Sequence, residues 1–146
     1  MNQSSPSGYL EFSFAELGSA AAKIGAMLAE HNHNYVGLEG ELGAGKTTFV
    51  GALLRSWGLG PDLPVPSPTF TCVQEYDLEV GAVAHCDFYR IDSPADELAG
   101  LLDHREFARV LVEWPKNLVQ SGELDVLLRF ETTGEFTRKI EWEIVS

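Results

Sequence analysis

Residues 40–47 read Gly-Glu-Leu-Gly-Ala-Gly-Lys-Thr and meet the spacing G-x-x-x-x-G-K-[ST] at every position. This run constrains the fold more than any other in the chain. A loop of this kind works only between a buried strand and a helix whose free backbone N–H groups point back at the loop. Both neighbours are present. The apolar run Tyr35-Val36-Gly37-Leu38 predicts a short buried strand. Residues 47–57 predict a helix with Phe49, Leu53 and Trp57 on one side, and Gly58 suits its C-terminal stop. The glycines let successive N–H groups turn inward around an anion, and the helix dipole adds about half a positive charge.

The remaining elements follow from periodicity and turn chemistry. Residues 1–8 are rich in Ser, Pro and Gly and predict a flexible tail, leaving 9–146 as a single domain. Ser13 and Glu16 form a Ser-x-x-Glu start for a helix over 14–30, with Phe14, Leu17, Ala21, Ile24 and Leu28 at steps of three and four. Pro61, Pro64, Pro66 and Pro68 make residues 58–68 an extended loop, since proline lacks the N–H that helices and sheets need. Two strand-like runs, 69–76 and 82–88, predict a hairpin that would bring Cys72 and Cys86 near each other as free thiols. Ser93-Pro94-Ala95-Asp96 is a helix start, with Leu98, Leu101 and Leu102 leading towards Phe107. Val110-Leu111-Val112 predicts a buried strand. Val126/Leu128/Phe130 and Ile140/Trp142/Ile144 alternate around 132–135 and predict a second hairpin at a sheet edge. Together these elements predict a three-layer α/β domain of the P-loop NTPase type. Its central sheet is expected to be mixed and largely parallel, with antiparallel hairpin strands.

The chemistry expected of such a loop is nucleotide binding. Lys46 would reach the β- and γ-phosphates, and the Thr47 hydroxyl would ligate Mg2+. A metal-side acid is needed at the end of a neighbouring strand, and two stand there: Asp87, closing Val83-Ala84-His85-Cys86, and Glu113, closing Val110-Leu111-Val112. Spacing alone leaves open which holds the metal and which orients water. Ser67, Pro68 and Thr69 follow the proline-rich loop, where a hydroxyl can sense the γ-phosphate. Arg90 reads as a phosphate partner or a surface ion pair, and Trp114 as a packed core-edge aromatic or as a ring that stacks on a ligand or partner. The Asn-Lys-x-Asp guanine clamp does not occur, which favours ATP.

Charge excludes another class. Ten basic residues against 22 acidic ones leave a net charge of −12, and no Lys/Arg cluster stands out. Nucleic-acid binders draw most of their affinity from neutralising phosphates, so no strong direct contact with RNA or DNA is expected. No apolar run is long enough to cross a bilayer. No secretory signal is visible, so a cytoplasmic protein with reduced thiols and no membrane partner is expected. His31 and His33 lack zinc spacing.

The whole set then resembles a known family. Gly40 to Phe49, Pro66-Ser-Pro-Thr-Phe70, His85-Cys-Asp-Phe-Tyr-Arg90, Glu97-Leu98 and Val112-Glu-Trp-Pro115 occur in this order. They are similar to the motifs of the TsaE (YjeE) family, ATPases of tRNA threonylcarbamoyladenosine formation. The resemblance implies that Leu42, Gly43, Ala44, Gly45, Lys46, Thr47 and Thr48 hold the ATP phosphates and that Thr47 and Glu113 bind Mg2+. It makes Asp87 the Walker-B-like acid, so that Lys46, Asp87 and Glu113 form the catalytic set, and makes Ser67, Pro68 and Thr69 a switch. It sets the base between Glu11 and Phe136. It also implies partners: the TsaD and TsaB proteins, a transferase pair whose repeated turnover at position 37 of ANN-decoding tRNAs depends on ATP hydrolysis. Cys86 departs from the family pattern, which more often has an apolar or aromatic residue there. Two other classes remain open on the residues alone, a small-molecule P-loop kinase and a nucleotide-dependent binding switch with negligible hydrolysis. Against the kinase, residues 116–124 are short and Arg-poor for a lid. Lys46→Ala is expected to abolish ATP binding in calorimetry; wild-type affinity in that variant would overturn the phosphate-loop assignment.

Overall fold

The structure is a computed structural model that describes residues 7–145. Seven strands form one sheet: β1 (Ser7–Ser13), β2 (Tyr35–Glu39), β3 (Val73–Leu78), β4 (Gly81–Asp87), β5 (Arg109–Glu113), β6 (Val126–Thr132) and β7 (Thr137–Ile144). Their spatial order is β1-β7-β6-β2-β5-β4-β3. The four middle strands, β6-β2-β5-β4, are parallel, and the outer pairs β1-β7, β6-β7 and β3-β4 are antiparallel. The expected mixed, centrally parallel sheet is therefore present.

Helices α1 (Leu17–Glu30) and α2 (Lys46–Ser56) cover one face; α3 (Pro94–His104) and the single turn α4 (Leu118–Ser121) cover the other. The division follows from alternation along the strands. Val36 and Leu38 of β2, Leu111 of β5 and Leu128 of β6 enter the α1/α2 core, whereas Val110 and Val112 of β5 and Ala84 and Cys86 of β4 enter the α3/α4 core. Strands buried on both faces read as unbroken apolar runs, as β5 does. Among the described residues no helix is long and apolar enough to cross a membrane.

Four expectations about elements need correction. Residues 7–13 form a strand: β1 pairs along its whole length with β7, from Ser7 opposite Glu143 to Ser13 opposite Thr137. Of the expected tail, residues 1–6 lie outside the described residues, and Ser7 and Gly8 belong to β1. The last hairpin is consequently not at the edge, because β1 caps it. The helix expected over 14–30 opens with a 3-10 turn, Phe14–Glu16, before α1 begins. There the Glu16 carboxylate accepts from the Ser13 backbone N–H at 2.8 Å and from its hydroxyl at 3.1 Å. Finally, residues 69–72 are not strand. Cys72 adopts φ 67° and donates its N–H to the Pro68 carbonyl at 2.7 Å, closing a turn before β3. This places Val73, not Cys72, opposite Cys86. Both cysteines are free thiols, as expected.

One side chain sets the position of the central strand. The Asp125 carboxylate, just before β6, accepts from the backbone N–H groups of Asn34 and Tyr35, each at 3.0 Å. It thereby aligns the start of β2 with β6, and so the point at which β2 ends. Asp125→Ala is expected to cost about 2 kcal/mol in a denaturant melt, because two donors lose a charged acceptor. Burial also pushes the Cys86 thiol up to about 12, so its thiolate is scarce at neutral pH. Alkylation of the native protein at pH 8 should therefore modify Cys72 and spare Cys86 until unfolding, which mass spectrometry will read.

Candidate nucleotide-binding site

The parallel register gathers the site. Leu38 pairs with Glu113, and Asp87 pairs with Glu113, so the carboxyl ends of β2, β5 and β4 finish side by side. β2 runs into the loop of residues 40–45, and the loop runs into α2. Gly43 and Gly45 have φ of 82° and 94°, values that side-chain-bearing residues rarely adopt, and Gly45 is the N-cap of α2. The first-turn N–H groups of a helix have no partner within it, and the first-turn residues Lys46, Thr47 and Thr48 line the polar cleft beside the loop.

The charged groups are buried around it. Lys46, Asp87 and Glu113 are all at most 5% exposed. The Lys46 ammonium donates to the carbonyls of Gly40 and Glu41 and lies 3.9 Å from the centre of the Trp114 ring. Burial lowers the Lys46 pKa, while Glu113, Asp87 and Glu39 act in the opposite direction. The Thr47 hydroxyl is 2.8 Å from Glu113 Oε2 and 3.1 Å from Oε1. Asp87 is held at both oxygens: Oδ1 accepts from the Tyr89 N–H at 2.9 Å, and Oδ2 accepts from the Thr69 hydroxyl at 3.0 Å. Ser67 Oγ lies 2.6 Å from Thr69 Oγ1, so the expected switch segment is tied to the strand-end acid.

The backbone of Glu113 is clamped as well. Its carbonyl accepts from Phe88 N–H at 3.0 Å, and the next N–H, of Trp114, donates to Leu38 at 3.2 Å. Pro115 disfavours the right-handed helical region at residue 114, and Trp114 takes φ 58°. The indole lies over Lys46 and lines the polar cleft, so of the two readings of Trp114 it is the core-edge one that the structure sets aside. Arg90 forms no ion pair among the described residues; its guanidinium lies 4.9 Å from the ring centre of exposed Phe70.

Two clefts meet at the loop. A polar one of about 280 Å3 is lined by residues 41–48 with Ser67, Thr69, Asp87, Glu113 and Trp114. An apolar one of about 390 Å3 continues from Gly43, Ala44, Gly45 and Thr48 to Phe12, Phe14, Leu17, Phe130 and Arg138. Phe136 sits beside it: its ring is 6.2 Å from Phe14, edge to face, and its carbonyl accepts from the Phe14 N–H at 3.0 Å. Glu11 is exposed, pairs with Lys139 across the β1-β7 ladder, and does not line the cleft; its neighbour Phe12 does. Sequence reasoning missed the walls formed by Phe12, Phe14, Leu17 and Arg138. The alternation of Ile140 and Trp142, carried two residues back, is the signal that puts Arg138 on the inner face.

The donors suit a hard cation bound together with a phosphate. Thr47 and Glu113 offer oxygen ligands 2.8 Å apart at the mouth of the polar cleft. Among the described residues no cluster of three His, Cys, Asp or Glu side chains could hold a metal. Mg2+ is typically held by one or two protein oxygens plus substrate phosphates and water, so this donor set fits it.

Residues 13–140 match the family model described as threonylcarbamoyl adenosine biosynthesis protein TsaE. The chain belongs to the TsaE family. The TsaE of Aquifex aeolicus is 37% identical over 106 residues, covering 70% of this chain and 71% of that protein. The TsaE of Haemophilus influenzae is also 37% identical over 106 residues, covering 71% and 66%. That of Bacillus subtilis is 42% identical over 101 residues, covering 68% and 57%. The crystal structure of Bacillus subtilis YdiB superposes with a TM-score of 0.67 at 25% identity, over 99% of this chain and 90% of that one. This TsaE chain thus shares its fold along nearly its whole length with a solved structure. Glu113→Ala is expected to leave Mg2+-free nucleotide affinity within about twofold and to remove the gain that Mg2+ confers, read by calorimetric titration.

Proposed function

We propose that this protein is a Mg2+-dependent ATPase that binds the TsaD–TsaB transferase pair and supports repeated formation of threonylcarbamoyladenosine at position 37 of ANN-decoding tRNAs. The observation that carries the ATPase part is the meeting of Thr47 with Glu113, and of Thr69 with Asp87, at the N-terminus of a helix that begins on Lys46. The transferase part rests on membership of the TsaE family and on the names its members carry.

In this proposal the loop N–H groups of residues 42–48 and the Lys46 ammonium bind the phosphates. Lys46 gives up its contacts with Gly40 and Glu41 as it turns to the β- and γ-phosphate oxygens. Thr47 and Glu113 hold Mg2+, which supplies charge neutralisation at the phosphate oxygens when bound. Asp87 orients the attacking water at the γ-phosphorus. The P–O bond to ADP then breaks in line, and inorganic phosphate and ADP leave. Thr69, bonded to Asp87, senses that departure and releases the 67–69 segment. Trp114 covers the Lys46 side. The base enters the apolar cleft between Phe14 and Arg138, on the side of Phe136 and the strand that carries Glu11. ATP is the nucleotide proposed.

The acidic surface fits a module that docks on protein rather than tRNA. TsaD and TsaB are therefore the proposed partners, in the cytoplasm, with no strong direct nucleic-acid contact. The deciding experiment mixes this protein with TsaD, TsaB, tRNA and threonylcarbamoyl-adenylate, then counts modified tRNA per transferase with and without ATP. Multiple turnovers are expected only when both ATP and this protein are present; a single turnover in every arm would overturn the functional proposal.

A further inference from the structure

We propose that His85 is a positioning residue for the cation site: its Nε2–H anchors one oxygen of Glu113 and so presents the rest of the carboxylate to the metal. The inference rests on the ATPase proposal above and extends it to a residue outside the phosphate loop, the switch segment and the strand-end acids.

His85 is fully buried on β4, one strand away from Glu113 on β5, and on the same face as Val83 and Asp87. Its Nε2 lies 2.5 Å from Glu113 Oε2. An ionised carboxylate only accepts, so Nε2 carries the proton and donates. The other ring nitrogen, Nδ1, is buried without a hydrogen-bond partner. A histidine here is therefore costly: its ring is desolvated, half of its polar capacity is unmet, and its neighbours Val83 and Leu111 are aliphatic. An apolar side chain would fill this position at lower cost. The one return on the histidine is its bond to Glu113.

That bond matters because of how Glu113 is shared. Oε2 receives both His85 Nε2 and the nearer contact of the Thr47 hydroxyl, whereas Oε1 has only the 3.1 Å contact of that same hydroxyl. Thr47 has one hydroxyl hydrogen, and its oxygen is wanted by the metal. When Thr47 turns to the cation, His85 is the tether that remains on the carboxylate. A carboxylate that is only 3% exposed and is held at Oε2 keeps one orientation and directs Oε1 at the cleft. Second partners of this kind commonly change metal affinity ten- to a hundredfold.

The test uses the full-length protein and three variants. His85→Gln keeps an N–H at the Nε2 position, His85→Asn keeps one only at the Nδ1 position, and His85→Leu keeps none. Each is titrated with ADP by calorimetry, without Mg2+ and across Mg2+ concentrations, after circular dichroism confirms folding. We expect the Mg2+ concentration for half-maximal enhancement to rise at least about tenfold in His85→Asn and His85→Leu, and to return to within about threefold of wild type in His85→Gln, with Mg2+-free affinity unchanged in all three. If His85→Leu does not fold, the contrast between the two amide variants decides. Wild-type Mg2+ dependence in His85→Asn overturns the inference, as does an equal loss of affinity with and without Mg2+. A wild-type protein whose ADP binding ignores Mg2+ overturns the inference and the ATPase proposal together. Failure confined to the His85 variants overturns the inference alone.

Discussion

Parallel pairing of β2, β5 and β4 is the constraint on which the rest of the site depends. In a parallel sheet the strands end at the same side, so whatever each carries at its last residue is delivered to one place. Here the last residues are Glu39, Glu113 and Asp87, and the next segment after β2 is the glycine loop. The pairing of Leu38 with Glu113 and of Glu113 with Asp87 collects two carboxylates from positions 26 residues apart in the sequence. α2 then points its N-terminus at the same spot. Packing holds this alignment in place: Val36 and Leu38 are fully buried against α1 and α2, and a one-residue slip of β2 would turn them to the opposite face, where Leu124 and Pro115 crowd Gly37 too closely for a side chain.

The site collects opposing charges within a protein of net charge −12. Lys46 is buried between carbonyls, an indole and two acids, and the helix terminus adds to its field. Positive potential is thus local and inward-facing, while the exterior is dominated by carboxylates. This arrangement suits a small anionic ligand in a cleft and opposes the long anionic backbone of a nucleic acid on the surface.

The glycine loop was legible because each of its residues answers to a local requirement. Gly43 and Gly45 supply positive φ, Lys46 and Thr47 sit on the first helical turn, and the apolar run before them is a strand by its residue types. The acids at 87 and 113 were legible for a similar reason, as charges that end apolar runs. The apolar cleft was not. Phe12 contributes to it only because β1 pairs with β7, and residues 7–13 alternate too briefly and too weakly to announce a strand. Trp114 was half legible: a large aromatic at a strand end suggests either packing or stacking, and only the backbone turn at φ 58° sets it over Lys46.

The glycine loop at the start of α2, the two strand-end acids and the α/β class could be read from residue order alone, because each depends on residues adjacent in the chain or on a short period. Folding was needed to bring Thr47 to Glu113 and Thr69 to Asp87, to add β1 to the sheet, and to set His85 2.5 Å from the Glu113 carboxylate. These contacts join residues 18 to 66 positions apart, or set a whole strand against one at the far end of the chain. Such contacts depend on which strands become neighbours and in which register, and that is settled by the burial of two cores at once rather than by any local preference.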